Sequence, residues 1–149
     1  MTIVAWDGKT LAADRLGDAG GLRRTVTKVH RLDDGSLFGS CGSSSHMMEM
    51  LDWIKRGYPP SEVPPFQRTE DYQGVILVKP DATVWVWGQG PYPFRVEDPY
   101  TAMGSGRDFA IAAMYLGKKA VDAVNVACIF DPACGMGCDW FHLEENIPF

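Results

Sequence analysis

The 149-residue sequence is 46% hydrophobic and 22% charged, with a formal net charge of -5. This suffices for one domain with its own core, so residues 1–149 are read as a single domain. The charge speaks against a nucleic-acid partner, because no Lys/Arg cluster forms a basic face and the nearest group, Arg23, Arg24, Lys28, His30 and Arg31, reads as a strand edge. No apolar run reaches the roughly eighteen residues of a membrane span, so no membrane partner is expected.

The chain opens with Thr2 and an apolar run, Ile3-Val4-Ala5-Trp6, then a turn at Asp7-Gly8 and a second run, Thr10-Leu11-Ala12-Ala13, that ends in Asp14. This predicts a β-hairpin that begins within the first residues. A strand pattern interrupted by Asp7 is not a secretory leader, so the cytoplasm is the expected compartment. A small residue such as Thr2 generally permits removal of the preceding Met. Thr2 would then carry a hydroxyl nucleophile and a free α-amine on one residue. An α-amine, with an unperturbed pKa of roughly 7.7–8.0, can act as a base near neutral pH. A Thr activated by its own amine is an established kind of covalent catalyst.

Residues 15–21 are turn-rich. Residues 25–32 alternate as a strand, Asp33-Asp34-Gly35 makes a hairpin turn, and residues 36–41 return. Lys28, on the first of these strands, points either into a polar pocket or onto a solvated face. After Gly42 and a run of serines, Met47, Met50, Leu51 and Ile54 have the spacing of an amphipathic helix, with a serine as N-cap and Gly57 as its stop. Tyr58 to Arg68, with four prolines, is an irregular link. Strands follow at 74–78 and 83–87, the second with Val on one face and Trp on the other, as suits a sheet covered on both sides. A further strand lies around 94–96. Helices are expected over 109–116 and about 119–129, separated at Gly117, and a last strand over 140–143. The four cysteines, Cys41, Cys128, Cys134 and Cys138, sit in apolar or Gly-rich surroundings and are expected as reduced thiols. Cys134 and Cys138 lack the second Cys/His pair that a metal site requires, so neither metal nor cofactor is expected. The order of elements suggests an α+β protein with sheets held between helix layers.

Six landmarks in this order resemble those of proteasome β-type subunits: Thr2, the "AAD" ending in Asp14, "TKVHRL" around Lys28, "GSCGS" around Gly42, "GSG" around Ser105 and "DPACG" around Asp131. The likeness is strongest to the peptidase of the bacterial two-component heat-shock protease and to short bacterial and phage relatives. It implies an αββα four-layer sandwich of the N-terminal nucleophile hydrolase type, and a threonine endopeptidase with Thr2 as nucleophile. Under the resemblance, the Lys28 ammonium lowers the proton affinity of the Thr2 hydroxyl and amine. Asp14 orients and neutralises Lys28, the Gly42 N–H donates to the oxyanion, and Ser105 and Asp131 support the terminus. Ser40 and Ser44 would line the substrate pocket. The sequence departs from the family in the Arg15-Leu16-Gly17 that follows Asp14, and in Cys134, which stands where relatives often have Ser.

The resemblance further implies a homo-oligomeric ring that cleaves polypeptides. A separate ATP-dependent unfoldase would feed it, since this chain has no nucleotide-binding loop. Two other readings stay open at this point. One is a small-molecule amidohydrolase of the same fold, and the other a non-catalytic ring or scaffold subunit that keeps Met1.

Overall fold

The structure is a computed structural model that describes residues 2–65 and 74–144. Met1, and the part of the proline-rich link from Phe66 to Arg68, lie outside the described residues. The strands are β1 (Val4–Trp6), β2 (Thr10–Asp14), β3 (Leu16–Ala19), β4 (Leu22–Thr25), β5 (Val29–Arg31), β6 (Leu37–Cys41), β7 (Gly74–Val78), β8 (Val84–Trp87), β9 (Phe94–Val96), β10 (Thr101–Met103) and β11 (Cys138–His142). The helices are α1 (Ser44–Lys55), α2 (Arg107–Tyr115) and α3 (Ala120–Phe130), with a short 3-10 turn at Pro60–Glu62. One antiparallel sheet runs β10-β1-β2-β11 and a second runs β5-β6-β7-β8-β9; β3 and β4 form a separate hairpin.

Period-two alternation sends each strand's neighbours to opposite faces, and three apolar clusters result. Ile3, Ala5 and Ala12 of the first sheet meet Ala110, Ala113, Ala123, Val124 and Ala127 of α2 and α3. Their sequence neighbours Val4, Trp6, Leu11 and Ala13 turn the other way, onto Val29, Leu37, Ile76 and Val78 of the second sheet. The far face of that sheet, with Phe38, Val75, Leu77 and Trp87, covers Met47, Met50, Leu51, Trp53 and Ile54 of α1. The expected Val/Trp split in β8 is realised: Val84 and Val86 face the first sheet, while Trp85 and Trp87 face α1. The molecule is therefore α+β, with two larger sheets and three helices packed around these clusters.

The hairpin turn between β1 and β2 depends on Asp7. Its Oδ1 accepts the N–H groups of Lys9 (2.9 Å) and Thr10 (2.8 Å), while Oδ2 accepts the N–H of Ala120 (2.9 Å) at the start of α3. One carboxylate thus shapes a turn and satisfies a helix N-terminus that has no side-chain cap of its own.

Three expectations change. The strand expected over 25–32 is divided, because Thr25 closes β4 and Val29 opens β5. Val26 N–H donates to Arg15 O at 2.8 Å, and Arg15 Nε to Val26 O at 3.4 Å, so the chain is fastened to the β2–β3 junction there. The turn-rich stretch after Asp14 contains β3, and its turn shrinks to Gly20-Gly21. β10, unanticipated, pairs with β1 through Val4↔Met103 to Trp6↔Thr101. Three residues long, it is too short to show a period. At α1 the N-cap is Ser43, but its hydroxyl caps nothing and lies 3.2 Å from that of Ser45. Gly57 does stop the helix, at φ +88°.

Candidate active site

Asp14, the last residue of β2, is fully buried, and its carboxylate takes four donors. Oδ1 accepts from Lys28 Nζ at 2.8 Å and from the Ile3 N–H at 3.1 Å; Oδ2 accepts from the Gly135 N–H at 3.0 Å and the Leu16 N–H at 3.4 Å. A carboxylate out of water needs this: a counter-ion for its charge and hydrogen bonds for both oxygens. Lys28 lies just before β5 and is itself buried, its side chain 9% exposed against 0% for Asp14. Its carbonyl accepts the Ser40 N–H at 3.1 Å, which anchors it to β6. The ion pair therefore bridges the two sheets. It settles the choice left open for Lys28, which points into a polar pocket.

Thr2 is buried and its backbone is held from both sides. Its carbonyl accepts the Gly106 N–H at 3.3 Å; the next residue, Ile3, donates to Asp14 Oδ1 and accepts the Asp14 N–H at 3.2 Å. Gly104 lies directly beneath. A Cβ there would stand 2.0 Å from Thr2 O, and the residue's φ of +99° also suits glycine alone. The ammonium of Lys28 is thus fixed on the same oxygen that receives the N–H immediately after Thr2.

A second group gathers on the turn before α2 and the turn after α3. The Ser105 hydroxyl bonds the Asp131 carboxylate and sits 3.9 Å from Cys134 Sγ. The Cys134 thiol donates to Asp131 Oδ2 at 3.4 Å, and the Ala133 N–H to Oδ1 at 2.9 Å. Burial raises the Asp131 pKa, but the bonds from Ser105, Ala133 and Cys134 outweigh it and leave the carboxyl below its ordinary range. Burial, with the charge of Asp14 behind it, pushes the Cys134 thiol up to about 12. Gly135 joins this turn to the ion pair, since its N–H serves Asp14 and its carbonyl accepts the Arg15 N–H at 3.0 Å.

The structure joins Asp14 and Lys28 directly, links Thr2 to them through the Ile3 N–H, and ties Ser105 and Asp131 to them through Gly106 and Gly135. Gly42 follows the last residue of β6 at φ +126°, a backbone conformation that favours glycine. Its neighbour Cys41 feels the charge of Lys28, though burial dominates and raises that thiol to about 12. Ser40 is buried on β6, one strand position from this corner, whereas Ser44 is solvent-exposed at the first turn of α1. Gly104, Gly106 and Gly135 are positioning residues that no side-chain chemistry marks in the sequence. The "GSG" and "DPACG" runs held them, but only the fold shows which backbone groups they present. Among the described residues no group of three His, Cys, Asp or Glu side chains is placed to hold a metal ion.

No protein-family model and no curated protein matches the chain. Solved structures do. BPH of Thiobacillus denitrificans superposes with a TM-score of 0.71 at 19% identity, over 100% of both chains. The same protein in complex with epoxomicin gives 0.72 at 20% identity, over 99% of this chain and 100% of that one. The eukaryotic HslV of Trypanosoma brucei gives 0.70 at 19% identity, over 97% and 99%. The fold is that of the proteasome β-subunit-like proteins.

Proposed function

We propose that this chain is a threonine endopeptidase, a single domain of the αββα four-layer N-terminal nucleophile hydrolase type, whose nucleophile is Thr2 once Met1 is removed. The observation that carries the reading is the buried Lys28–Asp14 pair, locked at 2.8 Å on the carboxylate oxygen that also holds the Ile3 N–H. A buried pair of this kind contributes little net stability, so its presence beside a potential nucleophile points to chemistry.

In this reading the Thr2 hydroxyl attacks a peptide carbonyl and its α-amine takes the proton. The Lys28 ammonium, held by Asp14, stabilises negative charge as it develops on the hydroxyl oxygen. The Gly42 N–H donates to the carbonyl oxygen as it becomes an oxyanion. Ser105 and Asp131 steady the amine from the opposite side. The amine then returns its proton to the leaving nitrogen, and water releases the acyl group from Thr2. Ser40 and Ser44 border the pocket for the side chain that precedes the cleaved bond. The chain works in the cytoplasm as a homo-oligomeric ring on polypeptides supplied by a separate ATP-dependent unfoldase. Epoxomicin, bound by the Thiobacillus denitrificans protein, is a fitting probe.

The test begins with the intact mass of protein from cells that remove methionine normally. Loss of one Met residue is expected, together with hydrolysis of fluorogenic peptides that drops by about 10³-fold or more in Thr2→Ala. Epoxomicin should leave its mass on the peptide that contains Thr2. Full retention of Met1 would leave Thr2 without its amine, and the non-catalytic subunit would become the reading. Turnover of small amides with none of peptides would move it to an amidohydrolase.

A further inference from the structure

We propose that the β3–β4 hairpin selects acidic polypeptide substrates, its Arg23 and Arg24 guanidinium groups receiving Asp or Glu side chains beside the cleaved bond. The inference rests on the peptidase reading above and adds to it a class of substrate.

The hairpin is rooted in the candidate site. Leu16, its first residue, gives its N–H to Asp14 Oδ2 at 3.4 Å, and Arg15 before it gives its N–H to the Gly135 carbonyl at 3.0 Å. All four residues of the returning strand β4 are exposed, and two of them in succession are arginines. Successive residues of a strand point to opposite faces, so the arm carries one guanidinium on each side. Both overhang bare backbone. A Cβ on Gly135 would stand 3.4 Å from Arg23 Nη2, and the Gly135 N–H is itself bound to Asp14 Oδ2 at 3.0 Å. Arg24 stands opposite Gly17, the residue after Leu16. Stretches without side chains let an extended peptide approach closely, and such a peptide brings its own side chains to the arginines.

Neither arginine is neutralised from within the chain. The residue directly across a hairpin is the nearest ion-pair partner. Across from Arg23 is Asp18, whose Oδ1 accepts the Gly21 N–H at 2.9 Å in the turn. Across from Arg24 is Gly17, where a Cβ would meet Val26 Cγ1 at 2.7 Å. Among the described residues neither guanidinium has an ion pair or a hydrogen bond. Two adjacent cations left this way in a chain of net charge -5 mark a place for an outside anion.

The acids of the site do not oppose such a ligand. Asp14 is paired with Lys28, Asp139 with Arg15 at 2.9 Å, and Asp131 takes the Ala133 N–H and the Cys134 thiol. On the β10 side of Thr2, Arg107 donates to the Gly104 carbonyl at 3.1 Å, and its charge reaches Cys41 together with that of Lys28. Asp108, 3.9 Å from Arg107 Nε and 90% exposed, offsets that charge weakly. A peptide rich in Asp and Glu thus meets cations on both sides of Thr2. A nucleic acid would need a longer stripe of them to follow its phosphates.

Hydrolysis by the full chain, purified from cells that remove methionine normally, tests this on two internally quenched peptides. They differ only in Glu against Gln on both sides of a central Leu. At about 0.01 M salt, kcat/KM should favour the Glu peptide by about 3- to 30-fold, the worth of two exposed ion pairs, and about 1 M salt should erase the preference. Arg23→Gln/Arg24→Gln should bring the ratio near one with circular dichroism unchanged, while Arg23→Lys/Arg24→Lys should keep most of it. Anisotropy of the same peptides, labelled with fluorescein, on Thr2→Ala reads the preference without turnover. Cleavage of both peptides at equal rates, or a Glu preference that survives the Gln variant, overturns the proposal and leaves the peptidase standing. No cleavage, with Glu bound over Gln through the arginines, sinks the peptidase and keeps the acidic-peptide site; no cleavage and equal binding overturns both. An oligothymidylate that displaces the Glu peptide at lower concentration than unlabelled Glu peptide does would give the arm to nucleic acid and overturn the proposal.

Discussion

Asp14→Asn is the substitution that tests the core of the site most directly. It keeps the shape of the side chain but removes the charge and one of two acceptor oxygens. In the wild type each oxygen takes two donors, Lys28 Nζ and Ile3 N–H on one, Gly135 N–H and Leu16 N–H on the other. However the amide turns, its NH₂ group faces one of those pairs, and an N–H left without an acceptor costs about 1–3 kcal/mol. The Lys28 ammonium, buried and deprived of its carboxylate, costs more: removing one partner of such a pair destabilises by about 3–5 kcal/mol. The two losses share a partner and do not add, so about 3–5 kcal/mol is expected in all. At about 2–4 °C per kcal/mol for a chain of this size, Tm should fall by about 6–20 °C. Urea unfolding at one fixed protein concentration measures it, and Asp14→Asn/Lys28→Met closes the cycle. Removing the ammonium as well should recover a large part of the loss. A cost below about 1 kcal/mol for Asp14→Asn, or a double variant no better than the single, would refute the claim that this is a tightly coupled buried pair.

Gly104→Ala should both destabilise the fold and lower any peptidase activity, because its Cβ would stand 2.0 Å from the Thr2 carbonyl oxygen at φ +99°; unchanged melting and turnover would show that the Thr2 backbone is not held there. Burial raises the thiols of Cys41, Cys134 and Cys138 to about 12 and that of Cys128 to about 11. Iodoacetamide at pH 8 should therefore label the native chain slowly at all four and the urea-unfolded chain rapidly, as mass spectrometry of the peptides would show. Asp131 has a lowered folded-state pKa, so its contribution to stability is complete above the ordinary carboxylate pKa and is lost only as pH falls through the lowered value. Ser105→Ala removes one of the bonds that holds it down, and the Asp131 pKa followed by NMR should rise; no change would mean that Ser105 does not bond the carboxylate.

The amino-acid sequence determined the layers. Alternation in Ile3-Val4-Ala5-Trp6 and in Val84-Trp85-Val86-Trp87 assigns each side chain to one of two faces, and both faces must be buried. The stripe Met47, Met50, Leu51 and Ile54 likewise places α1. Such patterns are local, because period and burial act on residues a few positions apart. The candidate residues Thr2, Asp14, Lys28, Ser105 and Asp131 were nameable too, from their order along the chain. Their arrangement was not. Asp14 receives donors from residues 3, 16, 28 and 135, the last across 121 positions, and three of the four are backbone N–H groups that every residue but proline possesses. No side-chain pattern encodes which backbone group will reach a distant carboxylate. The same holds for the break between β4 and β5, imposed by Arg15 from outside the strand. It holds as well for the outer face of α2 and α3. Both helices are apolar nearly all round, and only the sheet decides that the small residues turn inward while Phe109, Ile129 and Phe130 remain in water.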